Sequence, residues 1–94
     1  MTGHHHVLFY DYAHDILERR GPHREAHLAQ AAEWKERGDL VAAGALGDPP
    51  HGAAFVFSLN DVSAIQGFVD NDPYVVAGLV NDWRIDPWNV VIGD

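Results

Sequence analysis

Polar and apolar positions in HHHVLFYDY (4–12) suit a β-rich segment, which predicts a strand with two usable faces. His4, His6, Leu8, Tyr10 and Tyr12 fall on one face, and His5, Val7, Phe9 and Asp11 on the other. HDILERR (14–20) predicts a short helical turn before the Gly21-Pro22 break. The period then lengthens: Leu28, Ala31, Ala32 and Trp34 recur at helical spacing, predicting a helix from about Pro22 to Arg37. Proline suits its first turn and Gly38 its end. His27 stands one turn before Ala31, at the border of the apolar stripe.

DLVAAGALG (39–47) reads as a buried strand whose small residues predict close packing over it. DPPHG (48–52) is turn chemistry, so AAFVFSL (53–59) completes a hairpin. Asn60 or Asp61 caps a second helix with Val62, Ile65, Phe68 and Val69 as its apolar positions. DNDPYVVAGL (70–79) breaks that helix and holds a further short turn, and a last strand spans about 80 to 92. In that strand the apolar positions change parity, from Trp83 and Ile85 to Trp88, Val90 and Ile92. A bulge or bend at Asp86-Pro87 is the expected cause, because proline cannot donate to a sheet ladder.

The order β-α-β-β-α-β, with right-handed crossovers, predicts an α+β, ferredoxin-like antiparallel sheet with both helices on one face. The other sheet face is left bare, and pairing sheet to sheet with a second copy would cover it. A length of 94 residues suits one domain over 1–94 and gives no room for a second core. A chain this short gains from the extra burial a homodimer brings.

Charge narrows the partners. Six basic against fourteen acidic residues give a formal charge of −8, and Arg19, Arg20 and Arg24 are the densest basic group. Such a surface repels phosphate backbones, so neither nucleic acid nor anionic membrane is an expected partner. The chain has no cysteine, which removes disulfides, thiolate nucleophiles and Cys-based zinc sites. No apolar run approaches the roughly 20 residues of a membrane span, and no signal-peptide pattern opens the chain. A cytoplasmic location is the default expectation.

Several motifs are absent or incomplete. There is no glycine-rich phosphate loop and no G-x-S-x-G elbow. HREAH (23–27) invites comparison with HExxH, but Glu25 is in the wrong place for that zinc motif. His4 and His6 share a strand face, yet spacing fixes no third ligand, so no metal site is assigned. The GHHH run (3–6) is given no role.

FYDY in the first strand, ERRGPHREAHL, RGDLVAAGAL, a glycine-containing hairpin turn, NDPYVVAGLV and WRIDPW occur in order over nearly the whole chain. The most diagnostic pieces are RxxHL at Arg24 to Leu28 and DPY at Asp72 to Tyr74. In these the sequence resembles the YCII-related (YciI-like) family. The resemblance implies a dimeric α+β barrel with a small cleft in each subunit. It also implies an active-site pair of a histidine and an aspartate, matching His27 and Asp72. Some relatives in aromatic degradation remove chloride from muconolactone-type or chlorohydroquinone compounds without a cofactor.

The residues make their own case. A neutral imidazole, with an ordinary pKa of about 6.5, accepts or gives a proton near neutral pH. An aspartate on one ring nitrogen fixes the tautomer and favours the imidazolium. Pro73 holds Asp72 in extended backbone angles and so stiffens the carboxylate's mounting. The plainer alternative is a packed helix histidine beside ordinary Asp-Pro turn chemistry. Tyr74 either gives a phenol to a substrate oxygen or covers the second helix. Arg24 meets an anionic substrate or is simply solvated. Phe9, Tyr10, Trp34, Trp83 and Trp88 are candidates for aromatic pocket walls, with Tyr10 taken as a substrate contact and the core as the safer place for most.

Three functions compete. The first is a cofactor-independent lyase, isomerase or dehydrochlorinase-like enzyme on a small aromatic or lactone-type molecule. The second is a non-catalytic small-ligand module, and the third a dimeric accessory domain with a vestigial cleft. On the first reading His27 transfers the proton and Asp72 orients it, and His27→Ala abolishes turnover while nearly sparing stability, since no core volume is lost.

Overall fold

The computed structural model describes residues 4–93, and Gly3 of the GHHH run lies outside them. The chain forms β1 (His4–Tyr12), α1 (Ile16–Arg19), α2 (Gly21–Glu36) and β2 (Leu40–Leu46). It continues through β3 (Gly52–Phe57), α3 (Val62–Asn71), α4 (Pro73–Val76) and β4 (Val80–Asn89). The strands make one antiparallel sheet in the order β2-β3-β1-β4. That is the ferredoxin-like arrangement expected from the sequence, with two short helices added.

Register sorts the side chains. Leu8 lies opposite Phe55 and Ile85, and Tyr10 opposite Ala53 and Trp83. This face carries the core: Leu8, Tyr10, Phe55 and Phe57 are buried with Ile65, Phe68, Val69 and Leu79. Trp34 of α2 meets Phe57 and Phe68 edge-on, at centroid distances of 5.8 and 5.2 Å. Both long helices therefore sit on the same side of the sheet, as predicted. Asp61 supplies the α3 cap, accepting from the N–H groups of Ser63 and Ala64. Gly52 is required by close approach, since a Cβ there would lie 2.3 Å from the Tyr10 carbonyl oxygen across the ladder.

Four expectations change. The β1–β4 ladder runs unbroken through Pro87, pairing His6 with Pro87 and His5 with Trp88. No bulge lies at Asp86-Pro87; the irregularities lie between Asp11 and Tyr12 and between Leu40 and Ala42. Proline is tolerated because β4 is an edge strand. The parity change is real but has another cause: Trp83 faces the core and Trp88 the opposite, open face. The strand also ends at Asn89 instead of continuing to 92, and Val90 beyond it is buried again.

The stripe on α2 is also rotated. Leu28 is 49% exposed, whereas His27 is the buried residue of that helix. Finally, the small residues of β2 do not lie under close packing. Ala43, Gly44 and Ala45 are exposed and line a cleft beneath α2.

The open sheet face carries Val7, Phe9, Ala54, Val56 and Trp88 around a shallow depression of about 400 Å³. No described helix is long and apolar enough to cross a membrane.

Candidate functional site

Asp72 stands at the joint between two helices. Its N–H closes α3 onto the Val69 carbonyl at 3.1 Å, and its carboxylate opens α4 by accepting from the Tyr74 N–H at 3.0 Å. Its extended backbone angle (ψ 122°) is the one a residue before proline prefers. The side chain is wholly buried, so the charge needs donors. It has two more: His27 Nδ1–H donates to Oδ1 at 2.8 Å, and the Tyr10 hydroxyl donates to Oδ2 at 2.7 Å.

His27 reaches this carboxylate from α2 and is only 6% exposed. Its ring lies flat on that of Tyr74, with centroids 3.8 Å apart and planes 4° from parallel, and meets Phe55 edge-on at 6.1 Å. Tyr74 is held in turn by the end of α4. Gly78, at φ +75°, lets the chain reverse so that the Leu79 N–H bonds back to the Tyr74 carbonyl at 2.9 Å. With Nδ1 occupied, Nε2 is the ring nitrogen left for a ligand, and His27 lines the cleft between α2 and β2.

That cleft measures about 180 Å³. Its walls include Tyr12, Tyr74 and Phe55, with Ala43, Gly44 and Ala45 on the β2 side and Leu28 and Ala31 on the α2 side. An apolar cavity of about 150 Å³ holds a benzene molecule, so the space suits one substituted ring. Burial pushes the Tyr12 phenol up to about 12, with neighbouring Tyr74 and Asp72 adding to the rise. Burial also raises Tyr74, against the opposing charges of Arg24 and Arg20. Tyr10 is raised most strongly, first by burial and then by Asp72. The tyrosines of the site thus keep their protons as donors.

The structure gathers His27, Asp72, Tyr74 and Arg24 around or behind one cleft. Tyr10 is different: it is 3% exposed, absent from the cleft wall, and uses its hydroxyl on Asp72. It supports the carboxylate and presents no surface to a ligand. Trp34 and Trp83 pack against the core, and Phe9 and Trp88 face the open side. None of them walls the cleft. His6 Nδ1–H donates to the Leu59 carbonyl, 2.7 Å away. Sequence reasoning missed Tyr12 and Arg20. Both had a signal, since Tyr12 shares the strand face of Tyr10 and Arg20 precedes Arg24 by one helical turn.

A YCII-related domain model matches residues 5–89. The protein YciI of Escherichia coli is 32% identical over 97 residues, covering 90% of this chain and 99% of that protein. Among solved structures, the 5-chloro-2-hydroxyhydroquinone dehydrochlorinase TftG of Burkholderia phenoliruptrix, in complex with 2,5-dihydroxybenzoquinone, superposes with a TM-score of 0.77. Its identity is 20%, with 90% of this chain and 93% of that one covered. A dimeric ferredoxin-like protein of unknown function from Thermobifida fusca gives a TM-score of 0.54 at 14% identity, covering 95% and 92%.

Proposed function

For a chain that belongs to the YCII-related family, we propose a cofactor-independent enzyme that moves a proton on a small aromatic or lactone-type molecule, with His27 and Asp72 as its working pair. One observation carries this reading. A wholly buried carboxylate fixes His27 Nδ1 at 2.8 Å, leaving the other ring nitrogen at a cleft that fits a single ring. This is the arrangement a general base needs: a defined tautomer, a fixed ring and a nearby anion to stabilise the imidazolium.

For a dehydrochlorinase-like reaction the steps balance as follows. On a lactone, or on the diketo tautomer of a chlorohydroquinone, where both carbons are tetrahedral, Nε2 of His27 takes a proton from one ring carbon, its C–H electrons form the new double bond, and chloride leaves the adjacent carbon with its electron pair. The products are the unsaturated ring, chloride and one proton. Tyr74 and Arg24 contact the substrate, while Tyr10 holds Asp72 in place. The fold shared with a dehydrochlorinase supports this class of chemistry. We further propose that the protein acts in the cytoplasm as a homodimer joined through the open sheet faces, which the apolar depression over Val7, Phe9 and Val56 supports.

The test is chloride release and deuterium incorporation from chlorinated hydroquinones in heavy water, for the wild type and His27→Asn. Turnover by the wild type that the variant loses is the expected result. Ligand binding by the wild type with neither chloride release nor exchange would point instead to a non-catalytic binding module.

A further inference from the structure

The cleft carries an electrostatic signature that runs against the rest of the molecule. The chain has a formal charge of −8, yet the charged residues assigned to the cleft wall, Arg20 and Arg24 beside His27, include no carboxylate. Elsewhere arginines are neutralised: Arg19 pairs with Asp15, Arg37 with Asp39 and Arg84 with Asp86. Among the described residues, Arg20 and Arg24 have no such carboxylate within ion-pair distance. They stand four residues apart across the start of α2, where neighbouring side chains share one side of a helix. Their charges reach inward too, since both act on the phenols of Tyr12 and Tyr74. Asp72, the nearest buried acid, is already engaged by His27, Tyr10 and the Tyr74 N–H.

We infer that the cleft selects a planar anion, a single ring bearing a carboxylate or an ionised phenol oxygen. Arg20 and Arg24 hold the negative group at the mouth, with the Tyr12 hydroxyl as a further donor. The ring lies between Phe55 and the small side chains of β2. Guanidinium groups fit this task because their planar fork matches a carboxylate, and two of them on one ligand explain why neither is neutralised internally. The inference rests on reading the cleft as a small-molecule site and adds the charge and shape of what enters.

The experiment uses benzoate as the anionic probe, benzamide as its neutral isostere and inorganic phosphate as an anion without a ring, with binding followed by titration calorimetry or chemical-shift changes. Benzoate is expected to bind at least about tenfold more tightly than benzamide, corresponding to one decade in the dissociation constant. Arg20→Gln and Arg24→Gln should each weaken benzoate about tenfold and leave benzamide within twofold. Added salt should weaken benzoate alone. Equal affinity for benzoate and benzamide, or unchanged benzoate binding in both arginine variants, would overturn the assignment. So would displacement of benzoate by phosphate at comparable concentration, because it would show that the ring contributes nothing. His27→Asn separates the two readings: it should lose turnover while keeping benzoate, so a failure of catalysis leaves the anion site standing.

Discussion

Replacing His27 by alanine removes, besides its 6.1 Å edge contact with Phe55, two closer interactions. One is the 2.8 Å hydrogen bond to the buried Asp72 carboxylate, and the other is the parallel stack on Tyr74 at 3.8 Å. A hydrogen bond to a charged group contributes about 1.5–3 kcal/mol and an aromatic pair about 0.5–1.5 kcal/mol. The expected loss is therefore about 3 kcal/mol, or roughly 12–24 °C in Tm for a domain of this size. That reverses the expectation, drawn from sequence, that this variant would nearly spare stability. Asparagine at the same position places an amide N–H where Nδ1 was, so His27→Asn keeps the donor and loses the ring contacts with Tyr74 and Phe55. Its expected loss is about 1 kcal/mol. Urea and thermal unfolding of both variants, followed by circular dichroism, make the comparison. An alanine variant within about 0.5 kcal/mol of wild type would show that Asp72 does not depend on the imidazole. An asparagine variant as unstable as alanine would show that the donor is not what matters. Stability alone thus no longer separates a catalytic histidine from a packed one, and turnover in the asparagine variant must.

Three further outcomes follow from the same geometry. Tyr10→Phe leaves Asp72 Oδ2 without its donor and should cost about 1.5–3 kcal/mol while changing benzoate affinity less than twofold; a large affinity loss would make Tyr10 a substrate contact after all. All three tyrosines of the chain are shifted upward, Tyr12 to about 12, so their phenols stay protonated in the fold while unfolded tyrosines ionise near pH 10. Folding stability should then be complete below about pH 10 and fall as pH rises through 12, with tyrosinate absorbance appearing together with unfolding; ionisation of the intact fold near pH 10 would contradict this. Val56→Asp places a charge on the open sheet face and should convert a homodimer to monomer in light scattering, and a wild-type monomer at micromolar concentration would refute that interface.

How much of this was legible in the sequence varies by element. The strand and helix order followed from periodicity and turn residues, and the sheet order followed from connection rules. His27 and Asp72 are 45 residues apart, and no spacing rule joins them; their pairing was read through family resemblance and is realised through the α3–α4 joint. Pro87 misled because a change of buried parity was read as a change of backbone. A sheet whose two faces are both apolar permits that change without a bulge. Tyr10 misled in a different way. Strand alternation places it on the helix side, but only the tertiary fold aims its hydroxyl at Asp72. The alanines of β2 predict a contact surface, whereas in space they are the absence that forms the cleft.

That absence has an evolutionary consequence. Asp72 is a poor site for variation, because one carboxylate caps a helix, orients a histidine and receives a buried phenol. Ala43 and Ala45 carry none of these duties. They lie on an edge strand, are exposed, and face the cleft with nothing beyond a methyl group. Enlarging either one resizes the chamber without touching His27 or Asp72. The scaffold therefore separates what must stay fixed from what is free to drift, and a change in what the cleft admits can be reached through single steps on one edge of the sheet.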